Sequence, residues 1–185
     1  LTDTIHEIGM KVMLWYSVPF VGIHSKAWNR FKDKFLNYAE DKQWCCLDPR
    51  YTEVRDYLTG IYEKAAIEWG IDGFKLDFID SFILSKQSSS SPDDGRDYDS
   101  LEEAIEALLS EIMTKLREVN PDICIEFRQG YTGPLMQTYG NMLRVGDCPI
   151  AAMNNRVGIL NLRMLAGKTA VHSDMLMWNE KDSVE

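Results

Sequence analysis

Apolar residues along the chain switch repeatedly between helical and strand spacing. Leu1, Ile5 and Ile8 have helical spacing and Gly9 is a natural stop. Lys11 to Ser17 then reads as a buried strand through Val12, Met13, Leu14, Trp15 and Tyr16. Pro19 to Ser25 reads as loop, Trp28, Phe31, Phe35, Leu36 and Ala39 as a short helix, and Gln43 to Pro49 as a connection. From Tyr51-Thr52 a helix carries Val54, Tyr57, Leu58, Ile61, Tyr62, Ala65 and Trp69 on one stripe and stops at Gly70. That stripe reads as core packing. After the turn pair Asp72-Gly73, Phe74 to Phe78 is a short buried strand.

Ser81 to Ser100 is a long polar loop without periodicity, either functional or disordered. Ser100-Leu101-Glu102-Glu103 forms a capping box. The helix it opens has the face Leu101, Ala104, Ile105, Leu108, Leu109, Ile112, Met113 and Leu116, and ends at Asn120-Pro121. Ile123 to Phe127 is the next strand, followed by a loop from Gly130 to Asn141. Met142 to Val145 is a strand, Ala151 to Ala166 a helix stopped by Gly167, and Thr169 to Asp174 the last strand.

Alternating strands and helices of this kind predict one parallel sheet in an α/β fold. Polar or aromatic groups recur at the carboxyl ends of the five expected strands: Trp15 and Ser17, Asp77 and Asp80, Arg128, Asp147, then His172 and Asp174. That is the layout of the active face of a (β/α)8 barrel. No G-x-G-x-x-G follows any strand, which argues against a dinucleotide site. Lys75 and Asp77 are the sharpest feature. Two residues apart in a buried strand, they leave on one face. Buried charges are costly unless they pair or do chemistry. A structural ion pair is the alternative, and the strand-end position favours chemistry.

Composition narrows the partners. The chain has 185 residues, 45% hydrophobic and 26% charged, with a net charge of −9. An acidic balance argues against nucleic acid and anionic membrane. No apolar run is long enough to span a bilayer, and no signal peptide is seen. Cys45, Cys46, Cys124 and Cys148 lack metal-ligand spacing and are expected to be buried free thiols. His6, His24 and His172 are scattered without H-E-x-x-H, so no metal and no cofactor are expected. The chain opens in what reads as the tail of a helix, and is expected to be part of a longer protein.

Two acidic groups on different strands of a barrel suit glycoside hydrolysis, one attacking the anomeric carbon and the other serving as acid and base. Asp77 is the better nucleophile, since Lys75 beside it favours its ionised form. Asp147 is the better acid/base, on a loop between Gly146 and Pro149, with Arg144 near enough to orient substrate or modulate its charge. Solvated surface carboxylates are the competing reading, and spacing alone leaves it open.

Gly73-Phe74-Lys75-Leu76-Asp77-Phe78 resembles the K-x-D nucleophile strand of glycoside hydrolase family 36, the melibiase-type α-galactosidases. Gly9-Met10-Lys11-Val12-Met13-Leu14-Trp15 resembles that family's third barrel strand. Leu47-Asp48-Pro49 with Val54-Arg55-Asp56-Tyr57-Leu58 is similar to the segment entering its third helix. Arg144-Val145-Gly146-Asp147 falls where the family keeps its acid/base aspartate. Arg156 and the helix to Gly167 follow, then His172-Ser173-Asp174-Met175-Leu176-Met177-Trp178, similar to its seventh-strand region. The resemblance implies that residues 1–185 are a partial catalytic barrel supplying roughly strands three to seven. It implies a retaining α-galactosidase without cofactor, in which Asp77 and Asp147 stand about 5–5.5 Å apart.

The sequence departs from the family in two places. Arg128 stands near the family's usual cysteine, where a cation would favour another sugar or one bearing an acidic group. The third strand runs on as Trp15-Tyr16-Ser17-Val18-Pro19 in place of a glutamate-proline ending. Trp15, Lys75, Arg128, Arg144, Asp174 and Trp178 are the expected sugar-binding residues, Trp15 by stacking on the apolar face of the ring. The expected substrate is an oligosaccharide or other α-galactoside. A transglycosylase of the same barrel shares the first half-reaction, and a non-catalytic carbohydrate-binding barrel is the reading from another class. A metal-dependent hydrolase using His172, Asp174 and Asp77 is a weaker fourth. Five strands of a barrel leave two open sheet edges, so association with a second copy is expected, or inactivity of the isolated chain.

Overall fold

A computed structural model describes residues 1–38, 41–85, 88, 95–128, 130–148 and 151–175. The chain divides into two compact units, Leu1–Ile123 and Cys124–Glu185. No helix among the described residues is long and apolar enough to cross a membrane.

The first unit opens with α1 (Thr2–Glu7) and runs into strand β1 (Met13–Ser17). Gly9 takes the left-handed conformation (φ 77°) that turns the chain between them. Next come β2 (Phe20–Gly22), α2 (Lys26–Arg30), β3 (Phe35–Tyr38) and β4 (Trp44–Leu47). These three strands form a small antiparallel sheet in the order β2-β4-β3. The long helix α3 (Thr52–Trp69) ends at left-handed Gly70 and leads into β5 (Gly73–Asp77). β5 pairs parallel with β1, Trp15 opposite Lys75 and Ser17 opposite Asp77. α4 (Leu101–Val119) completes the unit.

Period two decides what β1 and β5 present. Phe74 and Leu76 face one side and are fully buried. Tyr62 of α3 packs edge-on against Phe74 and Tyr16 there, with ring centroids 5.4 and 5.2 Å away. Trp15, Lys75 and Asp77 lie on the other side. At the opposite end of the pair, Asp72 accepts hydrogen bonds from the Val12 backbone N–H at 2.8 Å and faces His6 Nε2 at 2.7 Å. One carboxylate thus ties the entry of β1, the entry of β5 and helix α1.

The second unit holds β6 (Cys124–Arg128), α5 (Met136–Tyr139), β7 (Met142–Arg144), α6 (Ala152–Leu165) and β8 (Ala170–His172). β7 pairs parallel with both neighbours, Arg128 with Arg144 and Arg144 with His172 in register. Ile125, Phe127 and Leu143 are fully buried on one face. α6 buries Asn155 and Leu162, while Met153, Val157, Leu160 and Met164 are exposed. Parallel strands joined by crossover helices make the fold α/β, as the alternating pattern predicts.

Three expectations between residues 19 and 49 are corrected. The helix expected from Trp28 to Ala39 ends at Arg30, and Phe35–Tyr38 is strand. Trp28, Phe31 and Phe35 share helical spacing by coincidence. Trp28 meets Phe35 and Tyr38 across a turn instead, at centroid distances of 4.7 and 5.1 Å. The loop expected from Pro19 to Ser25 contains β2, and the connection expected from Gln43 to Pro49 contains β4. Both strands are too short for periodicity to reveal. Trp69, expected on the buried stripe of α3, is half exposed. Of the four cysteines, all free, Cys45 and Cys46 are buried but Cys124 and Cys148 only partly. Burial pushes the Cys45 thiol up to about 12, so it stays protonated and inert.

The polar loop from Ser81 to Ser100 is described at its two ends and at Ser88. Ser85, Ser88, Arg96 and Asp97 anchor it. Arg50 and Arg96 both donate to the Ser88 carbonyl, at 2.9 and 3.0 Å. Ser85 Oγ donates to the Leu36 carbonyl, and Arg55 grips Asp97 through both terminal nitrogens.

Candidate functional site

In the first unit the polar face of β1 and β5 converges on Asp77, the last residue of β5. Its side chain is buried, 8% exposed. Trp15 Nε1 donates to Oδ2 at 2.8 Å, and the Phe78 backbone N–H donates to Oδ1 at 2.8 Å. Lys75 Nζ stands 3.8 Å from Oδ2. These donors and the cation suit an ionised carboxylate, which only accepts. The Asp77 carbonyl accepts from the Val18 N–H at 3.0 Å, holding the strand end to the segment after β1.

The chain leaves Asp77 through Phe78, which has φ 61° and ψ 26°. Among the described residues it is the one non-glycine with positive φ. Such a conformation costs an L-residue about 1–2 kcal/mol and collects at functional sites. It aims the Phe78 ring at Trp15, edge-on at 6.1 Å, and at Phe20, at 5.3 Å. Trp15 is 54% exposed, although its indole nitrogen is committed to Asp77. A buried carboxylate thus lies under an exposed aromatic face.

In the second unit the polar face gathers around Arg144 of β7, 7% exposed in its side chain. Nη1 donates to Asp174 Oδ1 at 2.6 Å and Nη2 to Asp147 Oδ1 at 2.8 Å. Nε makes no hydrogen bond and lies 3.5 Å from Glu126 Oε1. Burial pulls the Arg144 guanidinium down, but the Asp147 hydrogen bond and the charges of Asp174, Asp147 and Glu126 outweigh it and hold it above its ordinary value. Glu126 Oε2 is 2.9 Å from His172 Nε2. Asp174 Oδ2 accepts from the Cys148 N–H at 2.9 Å, closing the loop that carries Asp147. The Asn155 side chain clasps the Asp174 backbone on both sides, at 3.0 and 3.2 Å. Asp147 is 75% exposed in its side chain.

The structure therefore brings Trp15, Lys75 and Asp77 together in one unit, and Arg144, Asp147 and Asp174 in the other. Arg144 and Asp174, expected to bind sugar, are buried and hydrogen-bond to one another and to the loop that carries Asp147. Arg128 is half-buried, with its guanidinium 5.3 Å from the centre of the Tyr131 ring. Trp178 lies outside the described residues. Glu126 and Asn155 were not among the expected site residues. For Glu126 a signal existed: a carboxylate two residues before Arg128 inside a buried strand repeats the Lys75–Asp77 pattern. Asn155 carried none, being one polar residue of an ordinary helix. Among the described residues no group of three or more His, Cys, Asp or Glu side chains is arranged to hold a metal ion.

No protein-family model matches the chain, and no curated protein matches it in sequence. Solved structures do share its fold. The galactosidase domain of the α-galactosidase–sucrose kinase AgaSK superposes with a TM-score of 0.69 at 17% identity, over 93% of this chain and 23% of that one. The family 36 α-galactosidase AgaA of Geobacillus stearothermophilus gives 0.64 at 18% identity, over 85% of this chain and 23% of that one. Ega3 of Aspergillus fumigatus, in complex with galactosamine, gives 0.58 at 14% identity, over 78% and 53%. The chain thus spans about a half of one of these proteins and about a quarter of the others. The shared fold is the (β/α)8 barrel of glycoside hydrolases, of which this chain supplies a part.

Proposed function

We propose that the chain is part of the catalytic barrel of a retaining α-glycoside hydrolase of the family 36 kind, acting on an α-galactoside. The observation that carries this reading is Asp77: a buried carboxylate at a strand's carboxyl end, held by Trp15 Nε1 and the Phe78 N–H, with Lys75 Nζ beside it. Neighbouring solved structures that are α-galactosidases, and one holding galactosamine, support a galactose-type sugar.

In this mechanism an Asp77 oxygen attacks the anomeric carbon as the bond to the leaving oxygen breaks. Protonated Asp147 gives that oxygen its proton. Asp147, now a carboxylate, takes a proton from water, the water oxygen attacks the same carbon, and the ester to Asp77 breaks. Two inversions retain the configuration. Trp15 stacks under the sugar, Lys75 and Arg128 donate to its hydroxyls, and Arg144 with Asp174 fixes the loop that presents Asp147.

Hydrolysis of a panel of chromogenic α- and β-glycosides by the full-length protein tests the proposal. Release from the α-galactoside, lost by at least about 10³-fold in Asp77→Asn, is the expected result for a missing nucleophile. Release from another α-glycoside, lost equally, keeps the mechanism and moves the sugar. No release from any glycoside refutes the hydrolase and leaves the transglycosylase and the binding barrel.

A further inference from the structure

We propose that His172, held in place by buried Glu126, is a further substrate-contacting residue of the second unit, its Nδ1 taking one hydroxyl of the galactosyl group. The proposal rests on the glycosidase reading above and adds to it a residue to which that mechanism gives no task.

The pair is built by sheet register. Arg128, Arg144 and His172 stand in register on β6, β7 and β8, and Glu126, Met142 and Ala170 stand one rung before them. In-register neighbours of a parallel sheet share a face, as do residues two apart on one strand. Glu126 and His172 therefore lie on the face of Arg144, opposite to fully buried Ile125, Phe127 and Leu143. His172 reaches back across β7 to a carboxylate one rung lower, with Nε2 at 2.9 Å from Glu126 Oε2. The other carboxylate oxygen lies 3.5 Å from Arg144 Nε. Glu126 thus faces the imidazole through one oxygen and, through the other, the arginine that tethers Asp147.

A tie between strands would be served by a pair buried at both ends. This one runs from the interior outwards: the Glu126 side chain is 9% exposed and that of His172 42%. An ionised carboxylate only accepts, so Nε2 carries the proton of their bond. That bond fixes the orientation of the ring and leaves Nδ1, which makes no hydrogen bond among the described residues. Nδ1 accepts in a neutral imidazole and donates in an imidazolium. A sugar hydroxyl does both, so it pairs with Nδ1 in either state, whereas a carboxylate or an ammonium would match only one. Arg144 joins this pair to the proposed acid/base. The atom that reads the hydroxyl and the group that moves the proton are therefore held by one charge cluster.

The experiment measures kcat/KM of the full-length protein on para-nitrophenyl α-galactoside and on its monodeoxy analogues, each lacking one sugar hydroxyl. His172→Gln keeps an amide where Nε2 stood, able to donate to Glu126, and removes Nδ1. It should lower kcat/KM on the parent substrate about tenfold, the scale of one hydrogen bond, and leave one analogue unaffected. That analogue lacks the hydroxyl which Nδ1 holds, so the variant has no contact left to lose. Glu126 acts through the imidazole, as a positioning residue. Glu126→Gln should lower the parent's value about threefold and spare the same analogue. Either variant slowed equally on the parent and on every analogue, or a His172→Gln variant as active as the unaltered protein, overturns the contact and leaves the glycosidase reading standing, since a strand tie acts on all substrates alike. Failure of the unaltered protein to cleave the parent α-galactoside overturns both together.

Discussion

Arg144 is the residue whose loss should cost the second unit most. It is buried on β7 and faces Asp174 at 2.6 Å, Asp147 at 2.8 Å and Glu126 at 3.5 Å. Arg144→Met would preserve most of the volume and leave buried Asp174 without its cation and Glu126 with the His172 imidazole as its remaining partner. Removing one partner of a buried charge pair costs about 3–5 kcal/mol, mainly through the stranded charge. In a domain of this size that lowers Tm by about 6–20 °C. Asp147 adds little, because an exposed pair is worth about 0–1 kcal/mol. Adding Asp174→Leu should return about 1–3 kcal/mol, since one stranded charge is then replaced by apolar volume. The guanidinium is held above its ordinary value, so its stabilisation is fully present below the unfolded arginine's own value and is lost only above it. Urea denaturation followed by far-UV circular dichroism measures the cost. A loss under about 1 kcal/mol, or a double variant less stable than Arg144→Met alone, would refute the account of a charge cluster organised by Arg144.

Two further outcomes concern the frame that holds the site. In Asp72, burial raises the carboxyl, but the Val12 N–H, His6 and Lys11 together hold it below its ordinary value. A depressed carboxylate stabilises above its unfolded value and loses that stabilisation as pH falls through the folded one. Asp72→Asn should therefore cost about 1–2 kcal/mol at pH 7, with the difference from the unaltered protein closing as pH falls below the ordinary carboxylate range. Hydrogen exchange at the Val12 amide reads the same contact. Gly140 has ordinary extended backbone, but a Cβ there would lie 2.5 Å from two Phe127 ring carbons and 3.2 Å from the Ile125 carbonyl. Phe127 is fully buried and has nowhere to move, so Gly140→Ala should cost about 1–3 kcal/mol or more. A melting temperature within error of the unaltered protein would show that β6 repacks freely.

What the sequence revealed follows from the range of each signal. α3 and α4 were legible almost to the residue, because many apolar positions repeat at one period and the stops are local: Gly70 in the left-handed conformation, Ser100 accepting from the Glu103 N–H. The Lys75–Asp77 pair was legible because charges inside a buried strand break the pattern around them. The small sheet was not. Phe20–Gly22 and Trp44–Leu47 are strands because they pair with each other and cover the turn after Asp77, and no window of either contains that information. The surroundings of Arg144 were hidden for the same reason. In sequence it stands beside Asp147 alone. In the fold it also meets Asp174, thirty residues away, and Glu126.

The two proposed catalytic carboxylates are held in opposite ways, and the difference matches their tasks. Asp77 is buried, ends a strand, and meets a strained residue whose conformation fixes its own backbone N–H on Oδ1. A nucleophile must be aimed along one line at one carbon, so immobility serves it. Asp147 is exposed, sits on a loop, and is tethered by one arginine that Asp174 and Glu126 hold in turn. A group that gives a proton to a leaving oxygen and then takes one from water meets two partners in succession. It needs access, and a tether that fixes its base without enclosing its tip. The buried charges around Arg144 supply that tether from below, at the sheet, and leave the carboxylate itself in solvent.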